Sequence, residues 1–226
     1  MKPLIVANWK MNPPTLAEAK ELFNSVKKGI KNIKRIKVVI CPPFVYLPIL
    51  RANGSQDCFW EEKGAYTGEV SPKMLKNLGL QYVILGHSER RKYQKETDEI
   101  INKKIKAALK EKLKPILCID NISQIKKDLK GITKKELRNL FLAYEPLFAI
   151  GTGRPCSIEK AKKMRILIQR KLKRNAPVLY GGSLNSQNAK NYIKEAGFQG
   201  LLIGGASLNP QEFLRIVKSI DPVRNF

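Results

Sequence analysis

The chain has 226 residues, 43% of them hydrophobic and 27% charged, which excludes a disordered or fibrous sequence and suits one domain spanning 1–226. Its 43 Lys and Arg against 19 Asp and Glu give a net charge of +24, extreme for a protein that handles small molecules. No apolar run is long enough to cross a bilayer, and the four cysteines form neither a CxxC pair nor a metal-ligating cluster with the single histidine.

The sequence Met-Lys-Pro leads straight into an aliphatic run with no signal peptide, so we expect a cytoplasmic protein whose cysteines stay reduced. Eight short aliphatic or β-branched runs read as strands, at residues 4–10, 37–42, 57–61, 82–87, 115–119, 141–145, 177–180 and 200–204. Most are continuously apolar, the pattern of parallel strands covered on both faces.

Helical patterns fill the intervals. Thr15 followed by Glu18 has capping-box spacing, and Leu16, Ala19, Phe23, Val26 and Ile30 share one face. Ser157 can cap a later helix, and Asn209-Pro210 places a cap before a first-turn proline. Between residues 119 and 141 there is room only for short helices near 123–129 and 133–139. Eight strand–helix alternations without a linker predict an α/β fold closed into a (β/α)₈ barrel, shortened between strands 5 and 6.

The positive charge falls along helical stretches such as 103–114 and 162–174, where a solvated lysine-rich outer layer accounts for it. Steering of an anionic substrate is compatible with that reading. The alternative is a nucleic-acid- or surface-binding protein on a retained barrel, but no RNP-type aromatic motif supports it.

In such barrels chemistry gathers where strands end. Here the strands end in Asn8-Trp9-Lys10, Gly86-His87-Ser88-Glu89, Tyr144-Glu145-Pro146, Tyr180-Gly181-Gly182-Ser183 and Gly204-Gly205-Ala206. Any one could be ordinary loop polarity; five at one rim argue for a site. His87 precedes a possible helix start at Ser88-Glu89-Arg90, a setting that disfavours imidazolium. Glu145 ends an apolar run, and a carboxylate held in a partly dry cleft suits proton abstraction from carbon. The run from Ala149 through Gly151 to Gly153 has the small, glycine-punctuated character of a lid. The glycine pairs 181–182 and 204–205, with Ser183 and the charge of Lys10, fit a phosphate. Arg90 and Glu96 could form a supporting ion pair.

These runs resemble the triosephosphate isomerase family. The resemblance rests on Asn8-Trp9-Lys10-Met11-Asn12, Cys41-Pro42-Pro43-Phe44, the stretch from Trp60 to Glu69, and the stretch from Ile84 to Arg91. It continues through Ala143 to Pro146, the lid, Tyr180 to Ser183 and Gly204 to Leu208, in family order along nearly the whole chain. It implies a TIM barrel that interconverts dihydroxyacetone phosphate and glyceraldehyde 3-phosphate without cofactor or metal. Glu145 would be the base, His87 the neutral electrophile, Lys10 the charge stabiliser and Asn8 the substrate-orienting group. Gly151, Ser183, Gly204 and Gly205 would hold the phosphate, with Glu89 and Thr67 in support. Thr67 lies in the loop from Gly64 to Glu69, which the resemblance assigns to a homodimer contact; it implies no membrane or nucleic-acid partner. Three departures stand out: Asp120-Asn121 and a shortened segment after strand 5, Phe148 where the family usually has tryptophan, and Arg154-Pro155-Cys156 at the far lid hinge.

Overall fold

A computed structural model describes residues 2–173 and 176–221. Arg174, the last residue of one expected basic stretch, and the final residues of the expected 1–226 domain lie outside the described residues. Eight parallel strands run β1 Leu4–Asn8, β2 Lys37–Cys41, β3 Gly54–Ser55, β4 Tyr82–Leu85, β5 Lys114–Ile119, β6 Phe141–Tyr144, β7 Val178–Gly181 and β8 Gly200–Ile203. Helices lie between and after them: α1 Leu16–Gly29, α2 Leu47–Leu50, α3 Pro72–Asn77, α4 Ser88–Tyr93, α5 Asp98–Lys110, α6 Gln124–Asp128, α7 Lys134–Leu137, α8 Ile158–Lys171, α9 Ala189–Lys194 and α10 Pro210–Ile220. The backbone-paired order is β2-β1-β8-β7-β6-β5-β4-β3, so the sheet curls until β2 and β3 face each other across one seam. Among the described residues no helix is long and apolar enough to cross a membrane.

Side chains close that seam. The Asn53 carboxamide takes the place of a neighbouring strand: its oxygen accepts from the Ile40 N–H at 2.9 Å and its nitrogen donates to the Val38 carbonyl at 3.0 Å. The Asn53 carbonyl meanwhile accepts from the N–H groups of Gln81 and Tyr82, so one residue serves both edges.

The third strand is not where the sequence predicts it. Residues 57–61 form irregular backbone and the strand is the two-residue Gly54–Ser55. A Cβ at Gly54 would lie 2.5 Å from Cys41 Sγ and 2.6 Å from a Val39 methyl carbon. The close approach at the seam therefore selects glycine, which hides the strand from a search for branched side chains. The other seven strands match their expected spans to within two residues.

Successive strand residues alternate between two cores. Leu4, Val6, Val39, Cys41, Ile84, Cys118, Ala143, Leu179 and Leu202 pack together in one buried cluster. Ile5, Ala7, Ile40, Val83, Leu85, Leu117, Leu142, Tyr180 and Ile203 belong to the larger cluster that includes the helices' apolar faces. This is why the strands are apolar without alternation. The expected caps form: Thr15, Ser157 and Asn209 accept from Glu18, Lys160 and Glu212 N–H groups. The β5–β6 interval holds only the two short helices expected, α6 and α7.

Candidate active site

Extending the alternation past the strand ends predicts the site's inward-facing residues. Asn8 and Lys10 continue Leu4 and Val6; Glu145 continues Ala143; Gly181 continues Leu179; Gly204 continues Leu202. A cavity of about 310 Å³ opens there, lined by Asn8, Lys10, His87, Glu145, Gly151, Ser183, Gly204 and Gly205, among others. The structure thus brings eight of the predicted residues to one place. Glu89 stands beside them through its contacts. Thr67 does not line the cavity; it sits in an exposed loop.

Glu145 and His87 are both buried, and Glu145 Oε1 lies 3.7 Å from His87 Nε2. The second oxygen, Glu145 Oε2, is buried with no hydrogen-bond partner among the described residues. A buried carboxylate oxygen without a partner is costly, and such atoms concentrate where a ligand supplies the missing contact. The geometry requires glycine opposite: a Cβ at Gly181 would lie 2.8 Å from Glu145 Cγ and Oε1. Burial, and then the neighbouring Glu145, push the Cys118 thiol well up, so this cysteine stays a protonated packing group beneath the site.

His87 caps α4. Its Nδ1 accepts from the Glu89 N–H at 3.3 Å. A ring nitrogen that accepts carries no proton, so the geometry assigns the proton to Nε2, which faces Glu145 and the cavity. Gly86, just before it, has φ +68°, a conformation that favours glycine. Glu89 bridges the site: Oε1 pairs with Lys10 Nζ at 2.5 Å, and Oε2 lies 3.6 Å from His87 Nδ1.

Two non-glycine residues here take left-handed backbone, Lys10 at φ 55° and Ser183 at φ 42°. Such strain must be held by surrounding contacts. The Lys10 N–H donates to Asn8 Oδ1 at 3.1 Å, and Gln56 Nε2 donates to the Lys10 and Cys41 carbonyls at 2.7 and 2.8 Å. Gln56 went unnoticed in the sequence, since a glutamine in a loop carries no signal of this role. Ser183 is tied to the lid: its Oγ donates to the Ala149 carbonyl at 2.6 Å.

The expected Arg90–Glu96 pair forms, at 2.7 Å, within a larger buried cluster. Lys104 Nζ reaches both Asp57 oxygens, at 2.9 and 2.7 Å, and Glu96 at 2.5 Å, while Arg90 also meets Asp57 at 2.9 Å. Burial pushes the Asp57 carboxyl up to about 6, even though Lys104 and Arg90 pull it down.

The sequence profile of the family described as Triosephosphate isomerase matches residues 3–220. The triosephosphate isomerase of Alkaliphilus oremlandii is 43% identical over 246 aligned positions, covering 96% of this chain and 98% of the relative. Those of Dictyoglomus turgidum and Lactobacillus delbrueckii subsp. lactis are 40% and 41% identical, covering 96% and 97% of this chain and 99% and 98% of theirs. An alignment of 246 positions against a 226-residue chain must open gaps in this chain, in keeping with a shortened barrel segment.

Proposed function

Because the chain belongs to the triosephosphate isomerase family, we propose that the cavity at the strand ends is its active site, with Glu145 as base and His87 as electrophile. The protein is an isomerase that interconverts dihydroxyacetone phosphate and D-glyceraldehyde 3-phosphate through an enediolate. The single observation that carries the site assignment is the buried, half-unpartnered Glu145 carboxylate facing the only histidine across a 3.7 Å gap.

Each role follows from chemistry. Taking a proton from the carbon beside a carbonyl builds negative charge on oxygen. Glu145 accepts that proton and delivers a solvent-exchangeable proton to the neighbouring carbon, while the hydroxyl proton passes from one oxygen to the other by way of His87. The Nε2–H of a neutral His87 donates to the charged oxygen, a use of histidine for which this enzyme family is the standard example. Lys10 adds a full positive charge that its pairing with Glu89 keeps in place. Asn8 spends its oxygen on the Lys10 N–H, which leaves its amide nitrogen for the substrate. Gly151 on the lid and Ser183, Gly204 and Gly205 across the cavity receive the phosphate through backbone N–H donors, the Ser183 hydroxyl being committed to the Ala149 carbonyl. Nothing in this sequence of proton transfers calls for a cofactor or metal.

The lid has a second duty, since an enediolate open to water loses its phosphate; closure over the cavity protects it. The lysine-rich exterior is assigned to solvation and to attraction of the anionic substrate, with no nucleic-acid role. Lys103, Lys106, Lys110, Lys162 and Lys163 are all exposed on outer helices. Four buried, unpaired cysteines are in keeping with a cytoplasmic setting.

The homodimer belongs to the same proposal. Met11 is 92% exposed and Val45 70%, and Tyr66 and Met74 also stand in solvent. All four follow β1, β2 or β3 and precede the next strand of the barrel. Large apolar side chains left bare in this way favour a covering partner. The loop around Thr67 is built rather than loose: the Glu69 N–H donates to the Tyr66 carbonyl, and the Tyr66 ring packs 4.7 Å from Phe59. A second copy of this chain would cover these groups and bring Thr67 to its neighbour's site.

A coupled isomerase assay on the purified protein beside Glu145→Gln tests the reading. We expect turnover in the wild type and a loss of about 10²–10⁴-fold or more in the variant. Equal rates in the two would overturn the assignment of the base.

A further inference from the structure

The shortened β5–β6 segment contributes a buried carboxylate that the reaction does not use. Asp128, at the end of α6, has no exposed surface. Its Oδ2 meets Arg91 at 2.6 Å, and its Oδ1 has no partner among the described residues. A helix needed only as cover would place an apolar side chain here, because burying a charge is costly unless it has a specific partner.

That partner reaches the active site. Arg91 lies on α4, four residues after His87. Its Nε donates to the Gly86 carbonyl at 2.9 Å, and its two terminal nitrogens pair with Asp98 and Asp128, each at 2.6 Å. The guanidinium also packs on the face of Gly86, where an added Cβ would be 3.1 Å from it. In addition the Arg91 backbone N–H donates to the His87 carbonyl at 3.1 Å. Arg91 therefore grips the chain on both sides of the His87 Cα, at the one point where Gly86 adopts left-handed backbone. The far end of the arrangement is anchored too: Asn102 Nδ2 donates to the carbonyls of Asp128 and Lys130, at 2.8 and 2.9 Å.

We propose that Asp128 and Arg91 are a positioning pair for His87: the stunted segment supplies the counter-charge that orients Arg91, and Arg91 sets the peptide that aims the imidazole. A planar guanidinium can satisfy a carbonyl and two carboxylates at once, because its five N–H groups point in fixed directions. Neutralising Asp128 leaves Arg91 free to swing toward Asp98 and to release Gly86. The ring then loses its angle toward the cavity while the phosphate-holding groups stay in place. The inference rests on His87 acting in the reaction.

The test uses Asp128→Asn and, because that variant could unfold, Arg91→Lys, which keeps a positive charge but lacks the fork that reaches Gly86. Both variants are assayed for kcat and KM at pH 8, where Asp128 carries its charge, and well below their melting temperatures. His87 is the only histidine, so its ¹⁵N ring resonances are read without ambiguity. We expect kcat to fall about tenfold or more with KM near the wild-type value, together with a displaced Nε2 resonance; about 1.4 kcal/mol of misplaced transition-state contact is enough for tenfold. A simple cover function would lower the melting temperature and leave kcat and the resonance unchanged, and that result in both variants would overturn the proposal. A displaced resonance with unchanged kcat would leave the pair's hold on the ring standing and count against the catalytic role of His87 instead.

Discussion

Tyr180 Oη accepts a hydrogen bond from the Cys156 backbone N–H at 3.1 Å, fastening the far end of the lid to the strand beneath it. The Cys156 carbonyl is held as well, by Tyr192 Oη, and the two tyrosine rings stack 3.8 Å apart. At the near end Ser183 binds the Ala149 carbonyl. Just before the near tie Leu147 and Phe148 project into solvent, so the lid's entry carries its own apolar surface.

Lid motion follows from these contacts. One hydrogen bond contributes about 0.5–1.5 kcal/mol, so Tyr180→Phe should shift the lid toward open by roughly 3- to 10-fold and raise KM. Pro155 restricts the backbone of Arg154 before it, so wild-type exchange should be slower than in Pro155→Thr. NMR relaxation dispersion on the lid amides reads both effects. Identical exchange in wild type and both variants would contradict this account of the hinge.

The buried cluster around Lys104 makes a stability prediction. Removing Lys104 leaves Asp57 and Glu96, both buried, with Arg90 as the remaining cation. Lys104→Met should cost about 3–5 kcal/mol, the usual range when one partner of a buried charge set is deleted. Urea unfolding measures it, and a change below about 1 kcal/mol would show that the cluster is solvated or rearranged.

Much of this was legible in the sequence, and the reason is periodicity. Once strands are buried on both faces, the residues that follow at the same parity must point into the barrel mouth. Asn8, Lys10, Glu145 and Gly204 were found in the sequence as polar residues and glycines at the ends of apolar runs, and this parity explains why those positions face the cavity. The missed features are ones where a single side chain substitutes for backbone. Nothing in Asn53 or Gln56 as residue types announces a closed seam or a braced Lys10. Asp128 was hidden by its neighbours, since Lys126-Lys127-Asp128 reads as a solvated helix surface. Its burial comes from packing against Arg91 of α4 and Asn102 of α5, contacts that sequence spacing does not reveal.

Asp128 also links stability to pH. Burial pushes its carboxyl from an ordinary 3.8 up to about 7, against the pull of Arg91 and with Asp98 as the other nearby acid. Between about pH 4 and 7 the folded chain therefore holds a proton that the unfolded chain has released. Its contribution to stability is full below the unfolded value and is lost as pH rises through about 7. Urea midpoints at pH 5.5 and 8 should drop more steeply with pH in wild type than in Asp128→Asn. Parallel pH profiles would mean that this carboxyl does not titrate in that window.

Proton transfer through Glu145 is the claim on which the rest turns, and isomerisation in deuterium oxide tests it most directly. If a carboxylate removes the proton and returns one that has exchanged with solvent, glyceraldehyde 3-phosphate formed from dihydroxyacetone phosphate carries deuterium at the carbon next to its aldehyde. Glu145→Gln should show incorporation slowed in step with its loss of turnover. Rapid turnover by the wild type with protium fully retained at that carbon would mean that no solvent-exchangeable base carries the proton, and would contradict the account.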